Sequence, residues 1–337
     1  MQLKVYGNEE TVGLVRRMIQ KDREQRSVMI HGDKGLGKKH LASYIAAGYL
    51  CSRHSGEPCG ECKSCRMIMH GTHPDVIYVK ANPNGNYIID ESIRPIVADA
   101  AVMPNESRYK VYIIPDLDRS VSTAVAVQNI LLKLIEEPPE HVVVIMTARS
   151  KEVFLPTVIS RTLSLGVSCV SEQESTQYLK ENYPQADDAD IAAAVSAGRG
   201  NIGRCKAYMQ KESFFDAAAI AREICEGLLT ADEYSVLKAV FAADGKKQLA
   251  RESAELFAEI ARDAAVCCVG SAEPEMSVSC YEQGAHKLST VLTPSGCERI
   301  YETAIDCVGR IDANCNLPLT LSGFAAKLSQ VVKQKGK

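Results

Sequence analysis

Residues 27–40 read SVMIHGDKGLGKKH, and this stretch decides the fold of the first part of the chain. SVMIHG (27–32) is the apolar, β-branched run of a buried strand, and a helical pattern follows from His40 to Leu50. Between them, GDKGLGK matches the phosphate loop G-x-x-x-x-G-K, in which backbone N–H groups and a lysine bind phosphate. Strand, loop and helix occur in the order that such a loop requires.

The loop keeps Gly32, Gly35, Gly37 and Lys38, but the residue after the lysine is wrong for a working site. That residue is normally Ser or Thr, whose hydroxyl coordinates Mg²⁺, whereas Lys39 has no acceptor oxygen and repels a cation. A second-strand carboxylate normally orients the same ion. That carboxylate normally stands directly after the apolar run of a later strand.

KVYIIPDLDRS (110–120) is that strand, and Pro115 occupies the position of the expected metal-linked carboxylate, followed by Asp116. Both metal-linked positions have lost the chemistry that Mg²⁺ needs. We predict that this chain neither holds Mg²⁺ nor hydrolyses ATP by itself. Whether ATP or ADP still binds stays open, because Lys38 and the glycines can hold phosphate weakly.

The rest of the first part alternates strands with helices, which predicts an α/β domain with a parallel sheet. An amphipathic helix ends at Pro138-Pro139 and carries its apolar residues at helical spacing. Its apolar stripe is Val127, Ile130, Leu131, Leu134 and Ile135, and the further strand candidates are PDVIYVK (74–80), KVYIIP (110–115) and HVVVIMTA (141–148).

The composition becomes helical after residue 166. Ser171 and Glu174 form a capping box, TPSG (293–296) predicts a break, and an apolar stripe closes the chain. That stripe is Leu321, Phe324, Ala325, Leu328 and Val332. We predict three domains: an α/β domain at 1–166, a small helical domain at 167–211 and an all-α domain at 212–337.

The amino-acid composition limits the classes of protein to which this chain can belong. The 337 residues are 46% apolar with a net charge of −3, as in a soluble globular protein, and this charge argues against a chain that coats nucleic acid alone. The N-terminus lacks the apolar run of a signal peptide, and no stretch reaches the ~20 apolar residues of a membrane span. We expect a cytoplasmic protein without membrane contact.

Thirteen cysteines fall into two groups. Nine are scattered and are expected to be small buried residues in a reducing compartment. They are Cys169, Cys205, Cys225, Cys267, Cys268, Cys280, Cys297, Cys307 and Cys315. The other four, Cys51, Cys59, Cys62 and Cys65, have the spacing C-x7-C-x2-C-x2-C, so residues 51–65 predict a closed structural zinc module. An iron–sulfur cluster is the alternative, but no trailing Cys-Pro is present.

The motifs together resemble the bacterial DNA polymerase III clamp-loader AAA+ family. The phosphate loop and cysteine module precede IIDESIR (88–94) and KVYIIPDLD (110–118), and QNILLKLIEEPP (128–139) and LPTVISRT (155–162) follow. The degraded nucleotide site is most similar to that of delta-prime subunits. The resemblance covers the first two predicted domains; for the third, it implies only a helical collar that assembles subunits.

The resemblance also implies roles for single residues. The family's Ser-Arg-Cys motif corresponds to Ser160-Arg161-Thr162, which makes Arg161 an arginine finger for a neighbouring subunit's ATP. Thr147 matches the sensor-1 position. Arg204, in GNIGR (200–204), lies near the sensor-2 position, and a surface salt bridge is its alternative. The implied partners are gamma/tau-like ATPases and a delta-like subunit in a hetero-pentamer, which acts on a sliding clamp and primed DNA.

Three other functions are alternatives to this role. An ATP-hydrolysing gamma/tau-like motor subunit of the same complex stays open. A small-molecule P-loop kinase with a zinc lid would need an intact magnesium site and an acceptor pocket, and the sequence shows neither. A zinc-dependent DNA-binding regulator is disfavoured by the net negative charge and by the lack of a basic, aromatic-studded face.

Overall fold

A computed structural model describes residues 3–20, 26–82, 86–119, 124–270 and 279–333. The chain divides into two compact units, Met1–Val170 and Ser171–Lys337. The first is an α/β unit and the second is helical, so the predicted fold class is confirmed. A division of the second unit at residue 211 stays a prediction.

The first unit is built on one sheet of five parallel strands in the order β2-β3-β4-β1-β5. Their bounds are β1 (Ser27–His31), β2 (Val76–Tyr78), β3 (Lys110–Ile114), β4 (Val142–Ala148) and β5 (Leu163–Gly166). The four strands expected from apolar runs are confirmed. The edge strand β5 was missed, because its four residues are mostly half-buried and carry no apolar run.

Among the described residues of this unit there are six α-helices. They are α1 (Glu9–Gln20), α2 (Lys38–Leu50), α3 (Lys63–Met69), α4 (Arg94–Asp99), α5 (Ala124–Glu136) and α6 (Pro156–Ile159). In α5 the predicted stripe is buried or half-buried, and the helix ends just before the two prolines.

Successive side chains of the central strands enter two separate hydrophobic cores. Val28 and Ile30 of β1 pack into a core with α1 and α2, whereas Met29 packs into a core with α4 and α5. This alternation follows from the two-residue period of a strand. Both faces of the sheet are thus covered, which explains why the strands read as nearly continuous apolar runs.

The second unit contains the remaining helices. They are α7 (Glu172–Asn182), α8 (Asp188–Gly198), α9 (Ile202–Met209), α10 (Ser213–Leu229), α11 (Glu233–Phe241), α12 (Lys247–Cys268), α13 (Glu282–Val291), α14 (Pro294–Asp312) and α15 (Leu317–Lys333). The capping box at Ser171 and Glu174 is present, and Thr293 caps α14 at the predicted break.

Two cores lie in this unit. A small one joins α7, α8 and α9, and a large one joins α10 to α15. The predicted C-terminal stripe is buried from Leu321 to Leu328, while the side chain of Val332 lies outside the described set. Of the nine scattered cysteines, five are buried and two, Cys267 and Cys268, are half-buried. Cys169 and Cys315 are exposed, so the prediction of burial was wrong for them.

None of the helices in the described part of the chain could serve as a membrane span.

Candidate functional site

The loop between β1 and α2 has a backbone that requires glycine. Gly32 and Gly37 have φ angles of 147° and 87°, in the region that other residues rarely adopt. A Cβ atom on Gly32 would lie 2.4 Å from the carbonyl oxygen of Val167. The sequence therefore fixes a tight turn that leads into the first residue of α2.

Lys38, the lysine of the loop, is turned onto the loop itself. Its Nζ donates hydrogen bonds to the carbonyl oxygens of Gly32 at 2.6 Å and Asp33 at 2.8 Å. The residue is buried, and this burial lowers the pKa of the ammonium group. A phosphate would have to replace these carbonyl contacts before it could use the charge of Lys38.

Lys39 forms an ion pair with Asp116, and this pair joins the first turn of α2 to the end of β3. The Nζ of Lys39 lies 2.8 Å from Oδ2 of Asp116. The backbone N–H of Asp116 donates to Oγ1 of Thr147 at 2.9 Å, and Thr147 is fully buried at the end of β4. Three of the predicted nucleotide-site residues are thus in contact with one another.

These residues do not fit a magnesium site. Mg²⁺ prefers oxygen ligands from hydroxyl and carboxylate groups. Lys39 supplies none, Pro115 supplies no side-chain oxygen, and the carboxylate of Asp116 is already neutralised by the Lys39 ammonium. Lys39, a cation supplied by the chain itself, thus stands at the sequence position of the metal-ligating hydroxyl and pairs with the nearest carboxylate after β3.

A second acidic residue after β3 was not singled out by the sequence analysis. Asp118 accepts a hydrogen bond from the backbone N–H of Arg149 at 3.0 Å, and its Oδ2 lies 3.5 Å from Arg149 Nε. The carbonyl of Arg149 in turn accepts from the N–H of Gly32 at 3.0 Å. The second aspartate of PDLD could have been noticed in the sequence. Nothing near it indicates its partner, because Arg149 lies 31 residues further along the chain.

Arg161 follows the short helix α6 and is partly exposed. Its Nε lies 2.9 Å from Oε1 of Glu136, the last residue of α5. Its Nη1 donates to the carbonyl of Thr157 and to Oγ of Ser160, both at 3.1 Å. Thr162, which replaces the family's cysteine, is buried and donates its hydroxyl to the carbonyl of Val158.

Arg204, the sensor-2 candidate, forms a bidentate ion pair within the second unit. Its Nη1 lies 2.9 Å from Oε2 of Glu259 on α12, and its Nη2 contacts the other carboxylate oxygen. Burial raises the pKa of Glu259, and the Arg204 guanidinium opposes that rise. The expected salt bridge is therefore present but only partly exposed, and the sensor-2 assignment itself stays a prediction.

The four predicted cysteine ligands converge. Their Sγ atoms all lie within 4.8 Å of one another, with Cys51 at the end of α2 and Cys62 at the start of α3. A tetrahedral metal with metal–sulfur bonds of about 2.3 Å places sulfur atoms about 3.8 Å apart, so a small adjustment accommodates the ion.

The surroundings of these sulfur atoms favour the thiolate at Cys59 and Cys62, whereas burial raises the pKa of Cys51 and Cys65. The backbone N–H groups of Cys59, Cys62 and Cys65 donate to the sulfur atoms of Cys51, Cys59 and Cys62, at 3.4, 3.3 and 3.4 Å. Burial acts to raise the pKa of Cys62, but N–H donors from Cys65 and Ser52 outweigh it and lower the pKa to about 6. Four sulfur ligands fit a closed metal site.

Comparison with known proteins places these features in context. Residues 7–170 match the model of a family described as "DNA polymerase III, delta subunit". The chain is 32% identical over 152 residues to DNA polymerase III subunit delta' of Bacillus subtilis (strain 168), which covers 45% of each chain.

Relatives with another subunit name match over a longer stretch of this chain. The chain is 32% identical over 203 residues to the tau subunit of B. subtilis, covering 59% of this chain and 35% of that protein. It is 28% identical to the tau/gamma subunit of Haemophilus influenzae, covering 59% of this chain and 29% of that protein. The chain thus spans less than half the length of these curated relatives.

A solved structure of a gamma subunit-related protein from Thermotoga maritima aligns with 96% of this chain and 99% of its own. The TM-score is 0.47 and the sequence identity is 18%.

Proposed function

Residues 7–170 belong to the bacterial DNA polymerase III clamp-loader AAA+ family, and from this premise we propose that the chain is a non-hydrolysing, delta-prime-like subunit of a clamp loader. In this proposal it presents Arg161 to ATP bound on a neighbouring ATPase subunit. The complex would place a sliding clamp on primed DNA. We also propose a cytoplasmic location, as for a protein that works on bacterial DNA.

One observation carries the non-hydrolysing assignment: Lys39 occupies the hydroxyl position and is paired with Asp116. Transfer of a phosphoryl group needs a metal ion to neutralise the charge that develops on the phosphate oxygens. A lysine ammonium supplies charge but cannot coordinate both the phosphate and an attacking water as Mg²⁺ does. The chain therefore keeps the fold of a nucleotide site without the groups that drive hydrolysis.

The arginine-finger assignment is supported by the position of Arg161. It directly follows a short helix, its side chain is 42% exposed, and its charge is close to the surface. A guanidinium can stabilise a transferring phosphoryl group from another chain because it is planar, always charged and able to donate two parallel hydrogen bonds. The proposed partners are gamma/tau-like ATPases, with a delta-like subunit completing the complex.

We further propose that Cys51, Cys59, Cys62 and Cys65 hold a structural Zn²⁺. A site with four sulfur ligands has no open position for a substrate, so the metal would fix the connection between α2 and α3.

The alternative is an ATP-hydrolysing gamma/tau-like motor subunit, because the tau subunit of B. subtilis is as similar as the delta' subunit at 32% identity. Sequence similarity alone does not separate the two roles. The lysine and proline at the metal-linked positions favour the non-hydrolysing role.

The test is reconstitution with partner ATPase subunits, a clamp and primed DNA, comparing the native chain with Arg161→Ala. An arginine finger contributes about 10³–10⁵ to phosphoryl transfer, so ATP turnover at the neighbouring site should be lost while the complex still assembles. Single-turnover ATP hydrolysis measures the rate and size-exclusion chromatography measures assembly.

Arg310→Ala is the matched control. Arg310 is also an exposed arginine paired with an acidic residue, Asp306, but lies on α14. Its removal should leave turnover unchanged. The isolated chain should show no Mg²⁺-dependent ATP turnover; measurable turnover would identify a motor subunit. An unchanged rate for Arg161→Ala in the complex would reject the finger.

A further inference from the structure

Glu136 holds Arg161 in one orientation. The carboxylate contacts Nε of the guanidinium at 2.9 Å, while Nη1 is bound by the Thr157 carbonyl and the Ser160 hydroxyl. Two of the three guanidinium nitrogens are therefore engaged from two different directions. The third, Nη2, donates no hydrogen bond to any residue that the structure describes.

The position of Glu136 is unfavourable for the helix that carries it. It is the last residue of α5, where the partial negative charge of the helix end repels a carboxylate. An exposed ion pair also stabilises a fold only slightly. The stability of α5 therefore does not account for a glutamate at this place, and its contact with Arg161 needs another explanation.

The position is nevertheless fixed by the sequence. Pro138 and Pro139 follow α5 after one intervening residue and prevent the helix from continuing. Glu136 is thereby held at a defined helix end, next to the end of α6 that precedes Arg161. Its neighbour Glu137 carries the same charge and is also exposed, but makes none of these contacts to Arg161.

We infer that Glu136 is a positioning residue for Arg161, an inference that depends on the proposed arginine-finger function. A free arginine side chain has many rotamers and must be ordered before it can bind a phosphate. Contacts to Nε and Nη1 remove most of this freedom in advance and leave Nη2 available for an incoming phosphate oxygen. Glu136 acts through Arg161 and does not itself touch the nucleotide.

The experiment measures ATP hydrolysis by the reconstituted complex with Glu136→Ala, Glu136→Gln and Glu137→Ala. Misplacement of a group in a reacting complex by about 1 Å can cost about 10²-fold, and we expect Glu136→Ala to lower kcat about tenfold. KM for ATP and assembly should not change, because substrate binding lies on the neighbouring subunit. Glu136→Gln keeps an oxygen that accepts from Nε, so it should recover most of the rate, and Glu137→Ala should match the native chain.

A double variant separates positioning from an independent effect. In the Arg161→Ala background, Glu136→Ala should cause no further loss, because the residue that it positions is gone. An equal further loss there would overturn the inference, as would an unchanged or increased kcat for Glu136→Ala alone. The proposed function fails separately, if Arg161→Ala itself leaves turnover unchanged.

Discussion

Asp75 is a fully buried carboxylate that fastens a loop to the sheet. It precedes β2, and its two oxygens accept hydrogen bonds from the backbone N–H groups of Asn105 at 2.6 Å, Glu106 at 2.9 Å and Ser107 at 2.9 Å. Burial acts to raise the pKa of Asp75, but these donors outweigh it, so the pKa lies below its usual value. The charged form is therefore the one that the fold stabilises.

We expect Asp75→Asn to lower the free energy of unfolding of the first unit by about 3 kcal/mol. The new amide NH₂ group would face backbone N–H donors and leave them without an acceptor. Urea denaturation followed by circular dichroism measures the loss. Asp90→Asn is the control, because Asp90 is exposed and forms only a surface ion pair with Arg94. It should change stability by less than about 0.5 kcal/mol.

The pH dependence of this difference has a definite sign. Because the pKa of Asp75 is lowered in the fold, its contribution is complete above the unfolded value of about 3.9 and is lost as pH falls through the lower folded value. The gap between native chain and Asp75→Asn should therefore shrink below about pH 4. A gap that stays constant down to pH 2 would contradict the role of the ionised carboxylate.

The site residues differ in how well the sequence alone predicts them. The glycines, Lys38 and the four cysteines were predicted because their chemistry is encoded by short spacings. The roles of Asp75, Asp118 and Glu136 were not predicted. Their partners lie 30, 31 and 25 residues away, and no local sequence pattern indicates these contacts. Contacts of this kind arise only when the sheet brings distant strand and helix ends together.

The segment from α2 to α3 carries the four clustered cysteines. Cys51 ends α2, Cys62 caps α3, and the residues between them have little regular structure. Beyond the sulfur atoms, the segment is fastened to α1 by a hydrogen bond from Gln20 Nε2 to the Ser55 carbonyl at 2.9 Å and by an ion pair between Arg16 and Glu57. Such surface contacts stabilise a loop only weakly.

We therefore expect one equivalent of zinc per purified chain, bound by the four cysteines. Cys62→Ser should lose the metal and lower the melting temperature by at least about 5 °C, because metal binding contributes directly to folding. Metal analysis and thermal unfolding measure both effects. Cys315→Ser, which changes an exposed cysteine far along the sequence, is the control and should change neither.

Other outcomes would alter the assignment. Iron with acid-labile sulfide in place of zinc would favour the cluster alternative. A chain that is equally stable with and without metal would contradict a structural role for the four thiolates.

Elements differ in how far the sequence predicts them. Strands β1, β3 and β4 are buried on both faces and read as apolar runs, and α5 shows its buried stripe at helical spacing. The edge strand β5 has the burial pattern of a half-covered segment. β5 pairs with β1, which lies more than a hundred residues earlier in the chain, and no local sequence pattern indicates this pairing.

At the scale of the molecule, each unit has its own hydrophobic core. Among the described residues, the two cores of the α/β unit end at Val167 and those of the helical unit begin at Leu179. Units of 170 and 167 residues are of ordinary domain size. The composition shift predicted the end of the first domain at residue 166, and the first compact unit ends at Val170.

The residues just after position 166 connect the end of the α/β unit to its first strand and its N-terminal segment by hydrogen bonds. The N–H of Val167 donates to the His31 carbonyl at 2.9 Å, and the N–H of Ser168 donates to Oδ1 of Asn8 at 2.9 Å. A fragment of residues 1–170 should therefore fold alone, unfold cooperatively and bind one zinc. A fragment of residues 1–166 loses both hydrogen bonds and should be less stable by about 1–3 kcal/mol, measured by urea denaturation. Equal stability of the two fragments would place the end of the unit at residue 166, and an unfolded 1–170 fragment would show that the α/β core needs the helical unit.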